Sequence, residues 1–343
     1  MADLSEFHGL TELQEVRRQL SDAQTKLRKI RSEKTALVEA VHDGAKDALT
    51  ALGKVEPVKP PKADTRTAKP EVALWHLTDW QGAKVTTSYN SAVMRERVGR
   101  YCDKAERLTD IQRADHPVRD CVVLLGGDML EGLFNFPAQP FEIDASLFGQ
   151  FASVARLEAE VVRRALAIYE NVTVVQEWGN HGRIGSKRAA LPRSDNSDRM
   201  IYELARAILS NPETGELHPR LTWEDSEEDI HHFEIGNYQA LLIHGDEIGR
   251  NGAASLNTVV NHVKGWKSGA YDKPFRDVYA GHYHSHRDIE LPDGGFYYQT
   301  GSPESDNRYA RDSMAASSRS TQRLHFVEPN DGKVTAQYCV DLA

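Results

Sequence analysis

Two periodicities divide the chain. Between residues 10 and 50, Leu13, Val16, Leu20, Ala23, Leu27, Ile30, Lys34, Leu37 and Val41 recur at alternating steps of three and four, and only Lys34 interrupts the apolar seam. A narrow seam of this spacing, flanked by charges and free of proline, predicts a coiled-coil helix over residues 1–52 that buries itself against a partner. Self-association into a homo-oligomer is the expected use. An antiparallel hairpin, or a helix docked on the body, are the alternatives. Lys34 would cost stability and restrict register, and the oligomer number stays open. Residues 53–71 carry four prolines and little to bury, which predicts a stiff, solvated linker.

From Val72 the pattern changes to buried β-like runs separated by amphipathic helices. The runs are Ala73–Leu77, Cys121–Leu125, Val172–Val175, Ala240–Ile243 and Val278–Ala280. Helices are expected from Ser91 to about Arg113, from Ala145 to about Glu170 and from Asp198 to about Ser210. The middle one places Val154, Leu157, Val161, Val162 and Leu166 on one face. Beyond Trp223 strands dominate, including His232–Ile235, Gly295–Gln299, Arg323–Val327 and Val334–Val340. Alternation first and strands later predict a layered α/β sandwich with two sheets, spanning residues 72–343.

Each buried run ends in polar side chains. They are Asp79 and Gln81, Asp128, Asn180 and His181, His244, and His282 with His284. In open α/β sheets ligands gather at such carboxyl ends. Gly126 and Gly127, just ahead of Asp128, are expected to let the backbone approach a ligand closely. Any one of these endings reads equally well as a turn. Five in one chain read as a site. Carboxylates, imidazoles and an amide oxygen suit a pair of divalent cations (Mn²⁺ first, with Mg²⁺, Fe²⁺ or Zn²⁺ as alternatives), and one aspartate can bridge two of them.

Composition narrows this little. The chain has 343 residues, 40% of them hydrophobic and 27% charged, and no apolar run long enough to span a bilayer. Its polar start lacks a secretory core, and Cys102, Cys121 and Cys339 are too scattered for a disulfide framework. A cytoplasmic setting is expected, in the host cytosol if the chain is phage-encoded. A net charge of −9 excludes a basic nucleic-acid coat but not a nuclease, whose bound cations would offset acidic ligands.

The order Asp79-x-Gln81, Gly127-Asp128-x-x-Glu131, Gly179-Asn180-His181, His244, Gly281-His282-x-His284 resembles the calcineurin-like metallophosphoesterase superfamily over about Val72 to Pro303. In look it is nearest to phage-encoded metallophosphoesterases and the double-strand-break repair nuclease branch. The resemblance implies a four-layer α/β/β/α sandwich with a dinuclear metal centre between its sheets. It implies that Asp79 and His284 hold the first metal, Asp128 bridges, and Asn180, His244 and His282 hold the second. It further implies that water activated between the metals attacks phosphorus while His181 protonates the leaving oxygen.

Two departures stand out. Gln81 occupies a position where the family carries histidine, so the first metal is expected to be labile or to prefer Mn²⁺ or Mg²⁺. Gly182-Arg183 follow His181 where the family carries an acidic residue, which is expected to lower the basicity of His181. Arg183 is a candidate to grip phosphate. Basic residues near the motifs (Arg183, Lys187, Arg188, Arg193, then Arg308, Arg311, Arg319, Arg323), with Tyr89, Arg95 and Arg97, point to DNA as substrate and hence to a nuclease. A small-molecule or cyclic-nucleotide phosphodiesterase is the first alternative. A metal-poor coiled-coil scaffold is the second.

Overall fold

The computed structural model describes residues 58–67, 69–133, 135, 138–184, 195–211, 213–226, 228–248, 255–305 and 319–343, with scattered positions between 18 and 43. Those scattered positions are helical, but the seam as a whole lies outside the described residues.

Among the described residues, eleven strands and four α-helices build the body. In chain order they are β1 (Glu71–Leu77), α1 (Ser91–Gln112), β2 (Val118–Leu125), α2 (Leu147–Ile168), β3 (Asn171–Gln176), α3 (Ser197–Leu209), β4 (Leu221–Glu224), β5 (Ile230–Ile235), β6 (Tyr238–Ile243), α4 (Leu256–Gly265), β7 (Asp277–Ala280), β8 (Arg287–Glu290), β9 (Phe296–Gln299), β10 (Thr321–Glu328) and β11 (Lys333–Asp341). A six-stranded sheet runs β11-β10-β1-β2-β3-β4 and a five-stranded sheet runs β5-β6-β7-β9-β8. Strands β1 to β4 are parallel, as are β6, β7 and β9.

The alternation along β1 separates two cores. Ala73, Trp75 and Leu77 point to the helices and pack with Met94, Val98, Tyr101, Val154, Val161 and Tyr202. Leu74 points the other way, joining Val122, Leu124, Leu242, Tyr279 and Tyr298 between the sheets. A third cluster, with Leu241, Val259, Val263 and Val278, seals α4 onto the outer face of the second sheet. The expected four-layer α/β/β/α order is therefore present. Each fully buried apolar side chain of this kind contributes about 1.5–3 kcal/mol, so a charge at Val154 would break the α2 layer.

The helices start where their caps dictate. Asn90 accepts from the backbone N–H groups of Ala92 and Val93 at the head of α1. Ser146 and Asn196 do the same for α2 and α3. Helix α4 and strand β8 were not expected. Most of β8 is exposed, and α4 is a short helix with only Val259 and Val263 buried, so neither prints a long period.

The described part of the linker is largely exposed, as expected, yet hydrogen bonds tie it to the body. The Val58 carbonyl accepts from Arg220, the Asp64 N–H donates to Glu170 at 2.8 Å, and Arg66 donates to the Arg113 and His116 carbonyls. Proline-rich chain lacks apolar side chains, but its carbonyls remain free to accept from arginines on the body. Among the described residues, no helix is long and apolar enough to cross a membrane.

Candidate metal centre

Strand ends from both sheets meet on one side of the sandwich. There the backbone leaves β1, β2 and β7 through left-handed turns: φ is 54° at Asp79, 49° at Gln81, 51° at Asp128, 67° at His282 and 50° at His284. Among the described non-glycine residues only Lys69 and Ala83 share this sign. Each such residue costs of the order of 1 kcal/mol, so five together mark a place where geometry outranks stability.

The β1 and β2 turns are laced backbone to backbone. Asp79 N–H donates to Gly127 O at 2.9 Å, Gln81 to Asp128 O at 3.0 Å and Gly82 to Met129 O at 2.9 Å. The β3 turn lies so close that a Cβ on Gly127 would stand 2.3 Å from Gly179 N, and one on Gly179 would stand 2.1 Å from Asp128 Oδ1. The two glycines before Asp128 thus serve contact between chain segments, not approach to a ligand: a Cβ on Gly126 would meet His76 and Thr78.

The side chains converge. Asp128 Oδ2 lies 3.1 Å from His244 Nε2 and 3.3 Å from Gln81 Nε2. His244 Nε2 is 3.1 Å from Asn180 Oδ1, and His284 Nε2 is 3.2 Å from Asp79 Oδ1 and 3.4 Å from Gln81 Nε2. Asp128, His244 and His282 offer donor atoms that all fall within 4.8 Å of one another. Donors sharing one cation at about 2.0–2.3 Å sit roughly 3.0–3.6 Å apart, so the spacing fits a divalent ion. The amide oxygen of Gln81 is buried without a hydrogen bond. A half-turn of that amide exchanges Oε1 with Nε2 and turns the oxygen toward Asp128 and His284.

Charge follows the same pattern. Burial opposes ionisation of Asp128, but His244 and His181 outweigh it and hold the carboxyl far below the usual range. Burial likewise opposes protonation of His244 and His284. The Asp128 carboxylate lifts the first well above its ordinary value, and Asp79 with Glu304 lifts the second. For His282 burial prevails, with His244 adding to it, and the ring falls to about 4.

A half-buried His181 stands beside this cluster. Its N–H donates to Asp128 Oδ1 at 2.7 Å, its Nδ1 faces Glu131 Oε2 at 3.2 Å and its Nε2 lies 4.0 Å from Asp128 Oδ2. Burial would depress it, yet Glu131 and Asp128 raise it to about 9. The expected loss of basicity is thus reversed: the carboxylate missing at Gly182 is replaced by Glu131. Lys84 in turn pairs with Glu131 at 3.1 Å and with Glu142 at 2.9 Å.

No family model matches the chain, and no curated protein matches its sequence. Solved structures align at low similarity. Vps29 of Entamoeba histolytica, complexed with zinc, is 12% identical at a TM-score of 0.35, covering 79% of this chain and 99% of its own. An uncharacterized protein of Streptococcus pneumoniae, described as a predicted phosphoesterase, is 11% identical at 0.29, covering 79% and 99%. The sulfate thiohydrolase SoxB of Thermus thermophilus is 10% identical at 0.35, covering 82% and 58%. Likenesses of this degree carry no argument about activity, which rests on the geometry above.

All seven expected metal ligands (Asp79, Gln81, Asp128, Asn180, His244, His282, His284) and His181 come together. Arg183 is engaged elsewhere: its guanidinium donates to Asp246 at 2.5 Å. Arg323 is 1% exposed between the sheets, donating to the Gln299 carbonyl at 2.9 Å and pairing with Asp288 at 2.7 Å. Tyr89 is buried against the Trp80 carbonyl, and Arg97 donates to Pro303 O. Arg95 and Arg319 are exposed, while Lys187, Arg188, Arg193, Arg308 and Arg311 lie outside the described residues. Sequence reasoning missed the roles of Glu131, Glu304 and Asp198. Only Glu131 carried a signal, three residues after Asp128. Glu304 reaches His284 Nδ1 at 2.8 Å from 20 residues downstream, which no local spacing announces.

Proposed function

We propose that this chain is a metal-dependent phosphoester hydrolase acting on phosphodiesters. The observation that carries the reading is the convergence of seven metal-type side chains at the strand ends, five of them on left-handed backbone, with Asp128, His244 and His282 offering donor atoms within 4.8 Å of one another. Asp79, Gln81 and His284 would hold one cation and Asn180, His244 and His282 a second, with Asp128 between them; Mn²⁺ suits this oxygen-rich set best. When bound, such cations offset charge developing on phosphoryl oxygens and make water a competent nucleophile at neutral pH.

The chain's own residues supply the rest. Asp128 and Asp79 concentrate negative charge where the cations are needed. Glu131 fixes the ring of His181 by facing Nδ1, which leaves Nε2 as the proton donor to a leaving oxygen. A charge-neutralising centre paired with a single acid suits phosphoester hydrolysis, and a diester is the substrate class we favour.

For the substrate, DNA is the reading favoured by basic residues near the motifs. A small or cyclic phosphodiester gains support from the burial of Arg323 and the commitment of Arg183 to Asp246, which remove two phosphate contacts a polymer would use. Hydrolysis of linear and nicked DNA, a 2′,3′-cyclic nucleotide and bis-p-nitrophenyl phosphate should be compared with Mn²⁺, in wild type and His181→Ala. DNA cleavage that is steeply inhibited by salt and lost in the variant supports the nuclease. Turnover of the small diesters alone supports the second reading. No Mn²⁺ uptake and no turnover by the wild type would leave the metal-poor scaffold.

A further inference from the structure

Behind the metal ligands lies a carboxylate that bonds their backbone rather than their side chains. Asp198, in the first turn of α3, is fully buried. Its Oδ2 accepts from the N–H of Asp128 at 2.9 Å and from that of Gly179 at 2.9 Å, and its Oδ1 accepts from Met129 N–H at 3.0 Å. The first and third of these donors flank the metal site on the β2 turn, and the second precedes Asn180 and His181 on the β3 turn. Asn196 reinforces the arrangement: its Oδ1 accepts from Asp198 N–H and its Nδ2 donates to Gly179 O, both at 2.8 Å. The backbone of Ser197 donates to Gly182 O at 2.8 Å.

A carboxylate is the group this place requires. Three N–H donors converge on two oxygens, and hydrogen bonds to an ionised acceptor are roughly twice as strong as neutral ones. An asparagine of the same shape offers one oxygen and directs its own N–H₂ at the remaining donor. Gly182 makes room for it. A Cβ at residue 182 would stand 2.2 Å from Asn196 Oδ1 and 3.1 Å from Asp198 Oδ2, so α3 fills the space a side chain after His181 would need.

We propose that Asp198 is the positioning residue of the metal centre, locking the Asp128 turn and the Asn180–His181 turn into one register so that their ligands face the same cations. The proposal rests on the reading of the site as a metal centre, and its tests separate the two.

Asp198→Asn keeps the volume and removes the charge. Glu158→Gln serves as control, because Glu158 is buried near Asp198 but makes no hydrogen bond to either turn. Mn²⁺ titration followed by electron paramagnetic resonance reads both occupancy and the exchange-coupled signal of a bridged pair. Asp198→Asn should bind its second Mn²⁺ at least tenfold more weakly and show an uncoupled signal, while Glu158→Gln resembles wild type. A folded Asp198→Asn with wild-type affinity and coupling overturns the proposal, as does equal loss in the control. Should Asp198→Asn fail to fold, amide exchange of the metal-free wild type decides. The Asp128, Met129 and Gly179 amides must then exchange only through global unfolding, and exchange by local opening overturns the lock. A wild type with protected amides but no Mn²⁺ uptake overturns the metal reading instead.

Discussion

Removal of His181 tests the proposed chemistry most directly, because its effect depends on the leaving group. Glu131 and Asp128 raise the ring to about 9 from an ordinary 6.5, which corresponds to roughly 3 kcal/mol of preference for the protonated form. A positioned acid contributes about 10²–10⁴ in rate, or roughly 3–5 kcal/mol. His181→Ala should therefore slow a diester with an alkoxide leaving group by about that factor, with little change in KM. The p-nitrophenyl diester should slow by less than about tenfold, since its leaving group departs without a proton. Glu131→Gln should lie between. The active form is protonated, so activity is present below the His181 pKa and lost above it; removing the carboxylate lowers that pKa and moves the alkaline limb of kcat toward lower pH. Steady-state rates on both esters, from about pH 6 to pH 10, give the answer. Equal losses on both leaving groups, or an alkaline limb indifferent to Glu131→Gln, would show that His181 does not protonate the leaving oxygen.

Mn²⁺ uptake should release protons, because His244 and His284 are raised well above their ordinary values and a cation must displace what they hold. Affinity should then rise with pH, and calorimetric heats should differ between buffers of unlike ionisation enthalpy; identical heats would contradict it. Gly179→Ala should abolish Mn²⁺ uptake and lower thermal stability, because the new Cβ falls 2.1 Å from Asp128 Oδ1. Gly99→Ala, inside α1 with open space around it, should instead stabilise by about 0.5–1 kcal/mol in denaturant unfolding. Arg323→Ala should destabilise by about 1–3 kcal/mol in the same assay, for it strips buried donors from Gln299 O and Thr300 and leaves Asp288 with His286 alone. A loss of DNA binding with unchanged stability would return Arg323 to the substrate.

Much of the body was readable because its strands are buried on both faces. Cys121–Leu125 has no polar residue to blur it and Val172–Val175 has only Thr173, and site residues follow each within five positions, Asp128 after the first and Asn180 after the second. The three long helices print their period through residues such as Val154, Val161 and Leu166, and their ends follow Asn90, Ser146 and Asn196. Local patterns carry no information about distance between loops. Glu131 replacing an acid at 182, Glu304 behind His284 and Asp198 behind two turns are consequences of packing, visible only when strand ends are brought together. Arg323 misled for a related reason. Its neighbours Gln322 and Leu324 look like an ordinary strand, but the alternation that sends Leu324 to the helices sends Arg323 between the sheets, where Asp288 and His325 receive it.

The docked linker gives the molecule two poles. Arg119, Glu170 and Arg220, which hold residues 58–64, stand where β2, β3 and β4 begin, whereas the donors gather where strands end. The eight residues of β2, at about 3.3 Å each, put roughly 25 Å between the two. Strand β11 runs in the same direction as β1, both being antiparallel to β10, and finishes at Asp341, paired with Thr321 on the donor side. A bulky fusion or a surface tether attached ahead of Val58 would thus hold the body by its back and leave the reactive mouth open to solvent. The same cargo attached after Ala343 would crowd that mouth, so the two placements offer a handle and a gate on one chain.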